Sequence, residues 1–283
     1  MNKHLILTAT LAATLAANTA CTQKTEEPKD PFNQLTLNDF RWEEDPTTAG
    51  CKVFIAAPLP ADTSAIAHAV RQWINQELGE TYTGDLADAQ SMANFYGQAK
   101  AEEIKDNLNE FGDNIETDQY CDYTQFAKAY ETALLVTLTK NEYRYMQGAH
   151  DDAALSGASF RKADGLRLGW NMFTQEGREK LRPLIRRTLM RRYFKIKNED
   201  EFYDTLLIEN ADSLFPLPQT PPFCRANGIQ FIYQEYEIAP YSAGMPQCTL
   251  PYSALDSLFA PLMQPLLKST TDSLALTFNM SRR

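Results

Sequence analysis

The chain has 283 residues, 43% hydrophobic and 23% charged, with a net charge of −10. It is too apolar for a mainly disordered chain and long enough for about two ordinary domains. The acidic balance argues against a nucleic-acid partner, which needs a basic surface, and three histidines are too few for most histidine-rich metal sites.

Met1-Asn2-Lys3, the apolar run Leu5–Ala17 and Asn18-Thr19-Ala20-Cys21 are the charged, apolar and small-residue parts of a secretory signal. The run falls short of the roughly 18 residues that a spanning helix needs. Cys21 resembles the lipobox cysteine of bacterial lipoproteins, diacylated on its thiol before cleavage on its N-terminal side. Thr19 and Ala20 fill the small positions, and Asn18 stands where that box prefers Leu. The resemblance implies a signal peptide over 1–20 and an exported chain anchored by lipid to a membrane, the outer membrane of a cell envelope. The plainer alternative is an ordinary signal that happens to precede a cysteine. Residues 21–48 read as the lipidated cysteine, a polar tether and a lead-in. Gln23–Glu27 resembles the acidic export signals of some Bacteroidota lipoproteins, and is equally a generic solvated linker.

A first α+β unit is expected over 49–147. Cys51–Ala57 reads as a strand stopped by Pro58 and Pro60. The spacing of Ile66, Ala69, Val70, Trp73, Ile74 and Leu78 predicts a helix over 63–78, capped by Asp62 or Thr63 and followed by Gly79. A more polar helix is predicted over 85–109, and 133–145 reads as one or two strands.

A second unit is expected over 148–262. It opens with a hairpin from Ala154–Arg161 through Ala163-Asp164-Gly165 to Leu166–Phe173. A helix capped by Thr174 should run to about Lys197, kinked or split at Pro183. After a proline-rich loop over 215–223, a hairpin turns at Ala226-Asn227-Gly228, a strand covers 247–250, and a short helix runs over 252–259. Residues 263–283 read as a tail. The fold class is therefore α+β: two small subdomains with antiparallel sheets packed by helices.

Gly148-Ala149-His150, the turn at Ala163-Asp164-Gly165, Trp170–Phe173, Tyr236–Gly244 and Leu250-Pro251-Tyr252 form a connected pattern. It resembles the last domain of RsiV-type anti-sigma-factor ectodomains, shared with the N-terminal region of PdaC-type peptidoglycan deacetylases. That resemblance implies a binding role, with a lysozyme-type muramidase or peptidoglycan as partner. No deacetylase domain or sigma-binding segment accompanies the module in this sequence.

Once Cys21 is assigned to lipid, Cys51, Cys121, Cys224 and Cys248 remain. Four cysteines in an oxidising compartment permit two disulfides with three connectivities. Two cysteines fall in each expected domain, which favours Cys51–Cys121 and Cys224–Cys248; four free thiols are the alternative. His150 beside Asp151 and Asp152 suggests an imidazole oriented by a carboxylate, or a structural histidine bonded to backbone in a tight turn. No sequence motif indicates a metal, a cofactor or a serine nucleophile, so a non-catalytic protein is expected. A glycan hydrolase using His150 or two carboxylates is the rival reading. Residues 178–197 hold nine basic side chains against Glu179 alone, a net +8 in a chain of −10. That helix suggests a site for an anionic partner around Arg186, Arg187 and Arg191, or a solvated face paired within the protein. His150, Tyr236 and Tyr241 complete the partner-binding candidates; Tyr233 and Tyr252 suit either a binding face or the core.

Overall fold

Alternation in the strands and helical spacing between them build a layered α+β protein around a six-stranded sheet. The structure, a computed structural model, describes residues 35–44, 52–111, 120–146, 149–208 and 214–267. The order is β1 (Leu37–Glu44), β2 (Lys52–Pro60), α1 (Ala65–Glu77), α2 (Ala89–Phe111), β3 (Cys121–Glu131), β4 (Leu135–Tyr145), β5 (Asp152–Arg161) and β6 (Arg167–Leu168). These strands form one sheet in sequence order. Only β2 and β3 pair in parallel, because two helices cross between them. Then come α3 (Gln175–Thr188), α4 (Glu199–Asp204), β7 (Phe223–Arg225), β8 (Gly228–Ile232), β9 (Gln247–Leu250) and α5 (Tyr252–Leu255), with β7–β8–β9 forming a second, antiparallel sheet.

The faces of the large sheet carry two different layers. On one, the apolar stripe of α1 meets the buried side of the strands: Trp73 lies edge-on to Phe126 at 5.5 Å and to Phe160 at 6.1 Å, beside buried Ile55, Val136 and Leu138. On the other face sits the three-stranded sheet, whose far side is packed by α3 through buried Leu181, Ile185 and Leu189. Ser159 links the two sheets. Its hydroxyl accepts from the Cys224 N–H at 2.8 Å and pairs with the Thr137 hydroxyl at 2.7 Å. Nearby, a Cβ added to Gly157 would lie 2.7 Å from the Phe223 ring. The chain requires that glycine because two layers meet there.

Several expectations are corrected. The boundary expected at 147/148 falls inside one sheet, because β5 pairs with β4 along its whole length. The strand expected over Cys51–Ala57 continues through Pro58 and ends at Pro60. Beyond Ala56 its β3 pairing has ended and only β1 flanks it, so missing N–H groups there cost no ladder bond. The α1 N-cap is Ser64 rather than Asp62 or Thr63; its hydroxyl accepts from Ala67 N–H, while Asp62 accepts from Ser64 N–H. The long basic helix ends as α3 at Thr188 and continues as a π-helical turn, Leu189–Tyr193. The first part of the supposed tail packs into the core through Met263 and Leu266. Signal, lipobox and tether lie outside the described residues. Among the described residues, no helix is long and apolar enough to cross a membrane.

Cys224 and Cys248 are free. They stand on strands flanking β8, opposite Ile229 and Phe231 respectively. Two strand spacings, roughly 9–10 Å, exceed the reach of a disulfide, so the expected Cys224–Cys248 bridge is not formed. Burial pushes both thiols up, to about 11 and about 12. Cys121 is also free, and its expected partner Cys51 lies outside the described residues.

Candidate functional site

β6 pairs only with Ser159 and Phe160, so the start of β5 has a free edge. The segment after β8 covers it. Glu235 accepts from the Ala153 N–H, and Gln234 both accepts from the Leu155 N–H and donates to its carbonyl. Two side chains thus replace a missing strand and bring Tyr236 and Tyr241 beside His150.

The three rings form one cluster. Tyr241 stacks on His150 with centroids 3.9 Å apart and planes 18° apart; Tyr236 lies 6.0 Å from each. The imidazole Nδ1 is 2.8 Å from the Asp151 carbonyl. A carbonyl only accepts, so Nδ1 carries the proton, and in the neutral ring Nε2 accepts from the Tyr236 hydroxyl at 2.9 Å. Tyr236 holds a left-handed backbone (φ 62°), unusual for a non-glycine residue, and the residue as a whole is 53% exposed. The Asp151 carboxylate does not orient the imidazole. It accepts from the Tyr241 hydroxyl at 2.7 Å. That bond lowers the Asp151 pKa, and it is the main cause that pushes Tyr241 up to about 12.

A second row of rings adjoins the cluster on the same face of the large sheet. Phe54 is in register with Tyr123, Tyr123 with Tyr143 and Tyr143 with Ala153, so their side chains project to one side of β2–β5. Phe54 lies edge-on to Tyr123 at 6.4 Å; Tyr123 and Tyr143 are nearly parallel at 6.3 Å and 17°. Arg41 closes one end over the Phe54 ring at 4.8 Å. At the other end Tyr143 stands opposite Ala153, two residues from Asp151; burial first and then the negative charge of Asp151 raise its pKa. With exposed Gln125 and Asn141, these rings line an open cleft of about 320 Å³. The three-stranded sheet covers this face around Thr137, Gly157 and Ser159 and leaves the aromatic end open.

The sequence candidates divide accordingly. His150, Tyr236 and Tyr241 come together. Tyr233 and Tyr252 turn inward, their hydroxyls donating to the carbonyls of Pro216 and Arg225. Arg186 is bound within the protein by Tyr203 and by Glu199, whereas Arg187 and Arg191 are exposed. Phe54, Tyr123 and Tyr143 were not among the candidates. Their one signal was an alternation of aromatic and polar residues, meaningful only once three strands are in register. Among the described residues, no group of three or more His, Cys, Asp or Glu side chains is placed to hold a metal.

A layered α+β chain with an open aromatic face is the class these features define. Residues 171–253, which include α3 and the three-stranded sheet, match the model of the DUF3298 family, a protein family of unknown function. Two solved structures share the fold. A DUF3298 family member from Bacteroides fragilis NCTC 9343 has a TM-score of 0.68 and 17% identity, covering 83% of this chain and 97% of that one. A DUF3298 family protein from Pseudomonas aeruginosa PAO1 has a TM-score of 0.56 and 17% identity, covering 80% of this chain and 95% of that one. No curated protein matches the chain.

Proposed function

We propose that this protein is a non-catalytic binding module of the cell envelope, held to a membrane by lipid on Cys21, and that it binds the glycan of peptidoglycan on its aromatic face. The observation that carries this reading is the pair of neighbouring aromatic groups, Phe54, Tyr123 and Tyr143 in the cleft and Tyr241, His150 and Tyr236 at the start of β5. Flat, partly exposed rings offer apolar faces to the flat sides of sugar rings, and Gln125 and Asn141 offer amides to hydroxyl and acetamido groups. The resemblance to RsiV- and PdaC-type modules points to the same compartment, with a lysozyme-type muramidase or peptidoglycan as the partner.

The occupied imidazole supports binding over catalysis. Both ring nitrogens of His150 are hydrogen-bonded, and Asp151 is engaged by a phenol that stays protonated through neutral pH. The imidazole is held by a backbone carbonyl and the Asp151 carboxylate is taken up by Tyr241, so the two do not form a carboxylate–imidazole pair. A lysozyme-type muramidase is the second reading, favoured by the net charge of −10, since lysozymes are typically strongly basic and complementary fields speed association.

Co-sedimentation of residues 22–283 with isolated peptidoglycan, run beside a lysozyme-inhibition assay, separates the two. The glycan reading predicts binding that falls at least about tenfold in Tyr143→Ala, as expected when a stacked ring worth roughly 1.5 kcal/mol is removed. Lysozyme inhibition without peptidoglycan binding selects the second reading. Neither response, or equal peptidoglycan binding by the variant, contradicts the proposed face.

A further inference from the structure

The basic helix leaves its charge unevenly satisfied. In its first three turns the cations have partners within the protein: Arg178 donates to the Trp170 carbonyl, Lys180 pairs with Glu176, Arg182 with Glu179 and the Phe215 carbonyl, and Arg186 with Tyr203 and Glu199. Beyond Arg186 the pattern changes. Arg187, Arg191, Arg192, Lys195 and Lys197 are all exposed and, among the described residues, have no carboxylate within ion-pair distance. The nearest acids in the chain, Glu199, Asp200 and Glu201, occupy the first turn of α4.

Three of these cations converge. Arg191, Lys195 and Lys197, with Ile196, line an open cavity of about 550 Å³. Lys195 holds a left-handed backbone, φ 60°, a conformation uncommon for lysine, fixed in part by the Ile196 N–H donating to the Met190 carbonyl at 2.9 Å. Two residues before Lys195, the Tyr193 hydroxyl donates to the Ala243 carbonyl at 2.6 Å. Ala243 ends the 3-10 turn that Tyr241 begins. Some of this charge complements the negative C-terminal end of the helix, but that effect falls off within the last turn and does not require three cations around one cavity.

We propose that this cavity is a binding site for a phosphate-bearing ligand, a phosphomonoester or diphosphate group. A carboxylate would leave most of the charge unmatched. A phosphate group carries up to two charges and several acceptor oxygens, suited to the guanidinium fork of Arg191 and the ammonium groups of Lys195 and Lys197. The acidic remainder of the chain confines attraction for anions to this patch. The site is independent of the glycan reading and stands or falls separately.

Pyrophosphate titrated into residues 22–283, which contain the whole compact unit Phe32–Arg283, tests the site by calorimetry. Binding should be saturable, should weaken as salt rises, and should fall at least about tenfold in the triple variant Arg191→Gln, Lys195→Gln, Lys197→Gln, which removes every charge-assisted hydrogen bond the cavity offers. These side chains are exposed, so the variant's melting temperature should stay that of the wild type; Lys180→Gln, at a paired lysine, should bind normally. Vesicles of phosphatidylcholine doped with phosphatidic acid distinguish the source. Retention on doped but not plain vesicles, lost in the triple variant, assigns a lipid phosphate. Pyrophosphate binding without vesicle retention assigns a soluble one. Undetectable pyrophosphate binding, or equal binding by wild type and triple variant, overturns the proposal.

Discussion

Tyr241 makes two separable contacts, a ring stack on His150 and a hydroxyl bond to Asp151. Tyr241→Phe keeps the first and removes the second. The bond holds the Asp151 pKa below the ordinary 3.8, so its stabilisation is fully present above the unfolded value and is lost as pH falls through the folded one. In an NMR pH titration, Asp151 of Tyr241→Phe should move back up toward 3.8. An Asp151 that titrates as low in the variant as in the wild type would assign the depression to another cause. Glycan binding should weaken less in this variant than in Tyr143→Ala, because the ring remains.

At the scale of elements, Ser159 ties the two sheets through one hydroxyl. Ser159→Ala leaves the Cys224 N–H without its acceptor and the Thr137 hydroxyl without its neighbour, both in the buried layer. A buried polar group left unpaired costs about 1–3 kcal/mol, so urea unfolding should show a loss of that size; an unchanged midpoint would mean that the layers are held by apolar packing alone. Elements with a clean apolar period, such as α1, α3 and the hairpin at Asn227-Gly228, were legible in the sequence. β1 was read as lead-in because only Phe40 of its placed side chains is buried, leaving little alternation to see. β3 was missed because a charge sits on its buried face: Asp122 is 2% exposed and pairs with Lys100 at 2.6 Å, which breaks the apolar pattern. The site divides in the same way. His150 and Tyr236–Gly244 stood out as a local motif, whereas Phe54, Tyr123 and Tyr143 come from three strands and become neighbours only through register.

For the whole molecule, partly buried ion pairs along the large sheet, one of them reaching Lys100 of α2, set the response to acid. Burial works to raise the Glu142 pKa, but Lys140 at 2.8 Å and Lys100 at 3.4 Å prevail and hold it below 4.5. The same opposition lowers Glu131, where burial is overcome by bonds from Lys128 and Lys162. Both depressed carboxylates contribute stability above 4.5 that is lost as pH falls below it. Melting temperatures measured from neutral pH down to about pH 3 should therefore drop steeply below the ordinary carboxylate range. Lys140→Met should start lower and drop less. An equal acid slope in that variant would show that the Lys140–Glu142 pair does not carry the acid response.

The central claim is that the open aromatic face binds glycan, and an NMR titration of the aromatic-labelled chain with a soluble peptidoglycan oligosaccharide tests it most directly. Saturable shifts concentrated on Phe54, Tyr123, Tyr143, His150, Tyr236 and Tyr241, with Tyr233 and Tyr252 unmoved, are the predicted result. No saturable shift at those rings, or shifts confined to residues away from this face, would contradict it.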